Sequence, residues 1–259
     1  MKIISKIFAL TLLAGLTSCD YFEIDNYPAP DSGIQGVVID KKTGDSLQTE
    51  VGIGFKVNYY ELSWQEAGHA NTQSRYFWGK SDGTFQNTKV FAGKYIISLS
   101  EGAFFPVEAD TVLLASGKLT ALRFEVVPMG RVSITSITPK KNTADTTKYD
   151  LAIKYKVEDT ENEVDKTTLK EDDYTLYESQ VFISRKSPNV GVNNRMSDYD
   201  LNARKNIIAD FPNSNNYKNY TETNIKGLSP GTWWIRAAVR TNNSIKRYNF
   251  SRVVQVTLP

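Results

Sequence analysis

The feature that most narrows the fold is a period-two alternation of apolar and polar residues that recurs in short runs. Val51, Ile53, Phe55, Val57 and Tyr59 alternate with Gly52, Gly54, Lys56 and Asn58, and later Tyr149, Leu151, Ile153, Tyr155 and Val157 alternate with Asp150, Ala152, Lys154, Lys156 and Glu158. Successive side chains of an extended chain point to opposite faces, so each run predicts a strand with one face buried and one open. Further strands are expected at 34–40, 75–79, 84–86, 94–99, 111–114, 119–127, 181–184, 232–240 and 253–258, and Val132, Ile134 and Ile137 open the second half. Turn signals such as Lys42-Thr43-Gly44-Asp45 and Ser81-Asp82-Gly83 separate them. No segment has a convincing helical period. The pattern predicts an all-β chain of two tandem antiparallel β-sandwiches, over residues 33–128 and 129–259, with the boundary at Pro128-Met129-Gly130.

Composition narrows the chemistry. One His and one Cys among 259 residues leave no Cys/His zinc cluster and no paired-cysteine redox site. Lys+Arg 31 against Asp+Glu 29 implies no basic face, so nucleic acid is not an expected partner. No Walker loop, GxSxG elbow or HExxH occurs. Asp159, Glu161, Glu163 and Asp165 have calcium-loop-like spacing but lack the Gly turn and terminal Glu of an EF-hand, and read as a solvated hairpin. Pairing any of them with Asp172-Asp173 as glycosidase carboxylates is arbitrary. No catalytic residue, metal ligand or cofactor is expected, and the chain reads as a non-enzyme.

The N-terminus has Lys2 and Lys6 before an apolar run from Ile7 to Leu16, interrupted by Thr11 and too short to span a bilayer. Residues 1–18 are read as a signal peptide, and its two lysines account for the whole formal charge of +2. Leu16-Thr17-Ser18-Cys19 resembles a bacterial lipobox, which implies that Cys19 carries acyl chains and anchors the protein to a membrane. Asp20-Tyr21-Phe22-Glu23-Ile24-Asp25 resembles the export signal of Bacteroidota surface lipoproteins, implying an outer-membrane address facing the exterior. Residues 19–32, with Pro28 and Pro30, are read as an extended tether.

A wider resemblance rests on Asp25-Asn26-Tyr27 with Pro30, Gly36-Val37-Val38 with Asp40 and Thr43-Gly44, Asp82-Gly83-Thr84-Phe85-Gln86-Asn87, and Phe91-Ala92-Gly93-Lys94-Tyr95. Ala103-Phe104-Phe105-Pro106 and Phe124-Glu125-Val126-Val127-Pro128 continue it. These residues resemble a family of two-domain Bacteroidota lipoproteins of unknown function. The resemblance implies a transthyretin-like or carboxypeptidase-regulatory-like first sandwich. It also implies association with a SusC/SusD-like transporter pair that captures polysaccharide or oligosaccharide. Met129 departs from the pattern, which has an aromatic residue after the proline, and the region after Ser187 matches nothing in it. Leu228-Ser229-Pro230-Gly231-Thr232 before Trp233-Trp234-Ile235-Arg236-Ala237 resembles the turn and strand late in fibronectin-III and immunoglobulin-like modules, implying that architecture for the second sandwich.

The candidate ligand contacts are Tyr60, Trp64, Trp78, Trp234 and Arg236. Residues 61–74 read as a polar loop carrying Trp64 and His69, in which Trp64 either stacks on a sugar ring or plugs the end of the sandwich. Alternation places Trp233 in the core and Trp234 beside Arg236 on the other face, under a loop or on a contact surface. Tyr76-Phe77-Trp78 is undecided, since both faces are aromatic. Residues 187–224 form an insertion with ten Asn and a helix expected around 201–211, readable as a binding surface or as a loop. The function this supports is a glycan-binding accessory of a nutrient importer. The alternative is a docking subunit of the transporter complex with no ligand of its own.

Overall fold

The computed structural model describes residues 28–69, 73–165, 167, 169, 172–193, 205–206 and 217–259. The signal peptide, Cys19, most of the tether and the greater part of 187–224 lie outside the described residues. Residues Asp31–Pro259 form one compact unit with two principal cores.

The first core lies between two sheets. In one, β1 (Ser32–Asp40) is central, antiparallel to β4 (Thr84–Val90) and parallel to β7 (Leu119–Val126). In the other, the order is β3 (Arg75–Trp78), β2 (Lys56–Glu61), β5 (Gly93–Ser100), β6 (Asp110–Leu114), all antiparallel. Ile34, Val38, Phe85 and Phe124 of the first sheet meet Val57, Tyr95, Ile97 and Leu114 of the second. In the second half, β8 (Gly130–Lys141), β9 (Tyr149–Asp159) and β12 (Tyr217–Leu228) form one sheet, with β9 central. Its partner holds β11 (Lys205–Asn206), β10 (Leu176–Ser184), β13 (Gly231–Thr241) and β14 (Tyr248–Phe250), with β15 (Val254–Leu258) also paired to β13. Leu151, Ile153, Tyr155 and Val157 of β9 pack on Val181 and Ile183 of β10 and on Trp233, Ile235, Ala237 and Val239 of β13.

The fold is the expected all-β sandwich type, with local corrections. The β1–β7 ladder is parallel, so the first sandwich is not wholly antiparallel. The alternating run from Val51 is not one strand: residues 51–54 are turn and bend, and β2 begins only at Lys56. Gly52 has φ of 83°, the left-handed region that suits a turn, and a Cβ on Gly54 would lie 2.1 Å from Thr49 Oγ1. Alternation thus persisted through a turn that glycines impose. The expected loop at 61–74 contains a five-residue helix, α1 (Leu62–Glu66). Within the expected helix at 201–211, the two residues described are strand.

The two cores meet along a polar and apolar seam. Phe105, Met129 and Tyr174 form a buried cluster there, with the Phe105 and Tyr174 rings 5.1 Å apart. Met129 takes the place of the expected aromatic, and its sulfur accepts hydrogen bonds from Asn243 Nδ2 at 2.9 Å and Thr241 Oγ1 at 3.6 Å. Arg131 at the start of β8 donates to Asp40 Oδ1 at 2.9 Å and to both carboxylate oxygens of Glu163 at 2.7 Å. Glu163 ends a short 3-10 helix, Glu161–Glu163, and also receives Lys42 Nζ at 2.9 Å. The acidic run read as a solvated hairpin therefore supplies a carboxylate to an ion-pair network. Asp172 and Asp173 likewise accept from Ser244 and Asn242.

The network makes a pH prediction. Burial alone would raise the Asp40 carboxyl, but hydrogen bonds from Arg131 and the Lys42 amide outweigh it and hold it low. For Glu163 the Arg131 hydrogen bond is the main cause of the lowering. Both folded values lie below the ordinary 3.8 and 4.5, so this stabilisation is fully present above about pH 4.5 and is lost as pH falls through the folded values. Urea unfolding between pH 7 and pH 2 is expected to show a loss of stability on acidification that is smaller in Arg131→Met than in the parent.

Candidate functional site

The pairing register settles which residues share the outward face of the β3-β2-β5-β6 sheet. Val57 opposes Phe77 and Leu99, and all three pack in or against the first core. The intervening residues must face outward. Lys56 lies opposite Trp78 and Ser100, Asn58 opposite Tyr76 and Ser98, and Tyr60 opposite Ile96. This resolves Tyr76-Phe77-Trp78: Phe77 turns inward, and Tyr76 and Trp78 turn out, with Tyr76 52% exposed.

The outward face combines flat rings with hydrogen-bonding groups. The Tyr76 and Trp78 rings meet edge to face, with centroids 6.1 Å apart and planes at 83°. Lys56 Nζ lies 4.1 Å from the Tyr76 centroid and 5.3 Å from that of Trp78, and pairs with Glu101 at 2.5 Å. Asn58 Nδ2 donates to Ser100 Oγ at 2.9 Å, and Tyr60 is half-buried farther along β2. The second half completes the rim. The Arg247 guanidinium lies 5.6 Å from the Trp78 centroid, with Glu50 at 3.9 Å and Glu101 at 4.0 Å. Those distances are ion pairs rather than hydrogen bonds. Burial raises the Glu50 carboxyl above its ordinary range against the opposing pull of Arg247 and Arg240. Among the described residues, the non-glycine residues with left-handed backbone are Glu101 and Lys246, each with φ of 53°. One holds Lys56 and the other precedes Arg247, so local backbone strain is concentrated at this rim.

The structure separates the five candidate residues. Tyr60 and Trp78 share the outward face. Trp64 lies in α1, beyond the Glu61 end of β2 and away from Trp78, half-buried and stacked on His69 with centroids 3.9 Å apart and planes at 17°. The His69 ring occupies a face that a sugar would need. Trp233 is in the core, as alternation predicts. Trp234 packs against a cluster of Phe182, Val190, Ala238, Tyr248 and Phe250, so the beginning of the 187–224 segment helps to cover it.

Arg236 needs correction as a ligand contact, because it is only 1% exposed. Its Nε donates to Ser251 O at 2.9 Å and its Nη1 to Thr49 O and Val190 O, each at 3.2 Å. The guanidinium carbon lies 4.3 Å from the Phe250 ring centroid, and burial brings its pKa down to about 10. The group stays charged at neutral pH and joins segments of both halves. Lys56, Asn58, Tyr76 and Arg247 were missed as site residues. The inward alternation of Val57 and Tyr59 on the same strand was the available signal for Lys56 and Asn58, whereas the side taken by Tyr76 depends on the register between β2 and β3 and nothing local marks Arg247.

No family model matches the chain, and no curated protein matches it. Solved structures do. A DUF3823 family protein from Bacteroides uniformis aligns with TM-score 0.67 and 22% identity over 89% of this chain and 100% of its own. A second Bacteroides uniformis protein, to which carbohydrate binding has been attributed, aligns with TM-score 0.62 and 20% identity over 88% of this chain and 100% of its own. A DUF3823 family protein from Parabacteroides merdae aligns with TM-score 0.59 and 17% identity over 89% of this chain and 100% of its own. The chain shares their fold.

The burial of Arg236 sets an expected cost for its removal. Replacing it with Met leaves three buried carbonyls to find other donors, so Arg236→Met is expected to destabilise the protein by about 2–4 kcal/mol. Urea denaturation reads this, and an unchanged midpoint contradicts the role assigned to the guanidinium.

Proposed function

We propose that the chain is a non-enzymatic surface lipoprotein that binds glycan on the outward face of the β3-β2-β5-β6 sheet. The observation that carries this reading is the grouping of exposed Tyr76 and half-buried Trp78 on one face with Tyr60 and the amide and hydroxyls of Asn58, Ser98 and Ser100. Aromatic rings take the C–H face of a pyranose, while amides and hydroxyls serve its ring hydroxyls. Such a face offers adsorption along a polymer rather than enclosure of a small substrate. The carbohydrate binding attributed to a protein of the same fold supports the same class of ligand. Anchoring through Cys19 to the outer membrane, and service to a SusC/SusD-like transporter pair, complete the proposal.

A docking role without a ligand is the second reading. It is favoured by Leu113, which is 74% exposed on β6 at the edge of this sheet. Co-purification of a transporter pair in the absence of any glycan is its expected signature.

Isothermal titration of the protein against a panel of polysaccharides tests glycan binding. At least one is expected to bind, and Tyr76→Ala is expected to weaken it about threefold to tenfold with an unchanged melting temperature. Trp64→Ala is expected to leave affinity near the parent value, because His69 already stacks on that ring. Absence of binding across the panel, or affinity indifferent to Tyr76, overturns the site.

A further inference from the structure

A separate cleft of about 420 Å³ opens at the seam between the two halves. Its walls are the 43–48 turn of the first sandwich, the start of β8, and the segment 249–254. Junctions of this kind are where small-molecule sites recur, and the volume is in their usual range.

Two properties of the lining define what it would accept. The charged side chains are Asp40, Asp45, Glu158, Arg131, Lys156 and Arg252, three acids and three bases. They are mutually paired: Arg131 with Asp40 and with Glu158 at 3.5 Å, Lys156 with Glu158 at 3.7 Å, and Arg252 with Asp45 at 2.7 Å. At the sheltered Arg131–Asp40 pair a charged ligand would have to take one member and leave the other uncompensated, whereas the Arg252–Asp45 pair is solvent-exposed and offers a charged ligand little. A neutral ligand can accept and donate hydrogen bonds to these fixed groups without separating them. Thr43, Ser46 and Ser133 add hydroxyls, while Val132, Ile134 and Val254 add half-buried apolar surface.

The second property is an unmet donor. Asn249 lines the cleft and is 3% exposed. Its Oδ1 accepts the Gly130 N–H at 3.1 Å, which fixes the orientation of the amide. Its Nδ2 is buried without a hydrogen-bond partner. Leaving such a donor unpaired in a folded protein is costly, so a group that accepts from it in the bound state is expected.

We infer that this cleft binds a neutral polyhydroxylated molecule of mono- or disaccharide size, with Asn249 Nδ2 donating to one of its oxygens. The site is distinct from the aromatic face and does not depend on binding there.

Saturation-transfer NMR on the full chain in a sugar-free detergent tests the inference, with glucose, galactose, mannose, xylose, maltose and cellobiose as neutral probes. Glucuronate and glucosamine serve as charged probes. At least one neutral sugar is expected to bind, and more tightly than either charged one. Ser133→Tyr, a change at an exposed lining position that fills the cleft, is expected to weaken binding at least about tenfold. Asn249→Asp keeps the acceptor for Gly130 but removes the donor, and is expected to weaken it as well; Ser133→Tyr decides the matter if that variant does not fold. Tyr76→Ala is expected to leave this binding unchanged. The inference is overturned if no probe binds, if a charged sugar binds best, if binding survives Ser133→Tyr in a folded protein, or if it is lost with Tyr76.

Discussion

The Arg236 guanidinium is the contact on which the arrangement of the two sandwiches turns. It is a buried cation bonded to backbone oxygens at Thr49, Val190 and Ser251, which lie far apart in the chain. Desolvating a guanidinium costs several kcal/mol, and three charge-assisted hydrogen bonds with the face of Phe250 are needed to offset it. The bonds to Val190 O and Ser251 O lie within the second half, whereas that to Thr49 O exists only when the 45–50 segment of the first half is seated against the second. That segment is held on both sides: Leu47 N–H donates to Val38 O at 2.9 Å, and Gln48 O accepts from Phe250 N–H at 3.0 Å. Arg131 ties the halves again through Asp40.

Both candidate sites inherit their shape from this seam. The aromatic face belongs to the first sandwich, yet its rim includes Arg247, which is brought to Trp78 by the approach of the second. The cleft exists because the 43–48 turn stands opposite β8 and the 249–254 segment without filling the space between them. The seating of the halves therefore shapes the rim of the aromatic face and forms the walls of the cleft, and Arg236 acts in that joint without lining the cleft. This is a different role from the interface anchor that Trp and Arg side by side on a strand suggest.

How legible the molecule was in its sequence differed from element to element. The strand from Tyr149 to Asp159 was plain, because its alternation is unbroken and one face is buried along its whole length. The run from Val51 misled, because the same alternation continued through a turn set by Gly52 and Gly54. β12 and β14 went unread, since their residues, Tyr217–Leu228 and Tyr248–Phe250, are mostly polar or too few to show a period. In the candidate site, Tyr60 and Trp78 could be named from residue type alone. Their grouping with Tyr76 and Asn58 could not, because both faces of 76–78 are aromatic and the register that sets Asn58 opposite Tyr76 is not a local property.

The sequence by itself determined the all-β class, the main strands and the inward position of Trp233. These follow from residue type and from spacing along one strand, where the geometry of an extended chain does the selecting. The tertiary structure decided that Tyr76 and Trp78 face outward, that Arg236 is a joint, that Arg247 reaches the aromatic rim, and that a neutral cleft lies at the seam. Each of these depends on register between strands or on contact between the halves. Such relations arise only when segments distant in the chain pack together, and a local pattern holds no record of them.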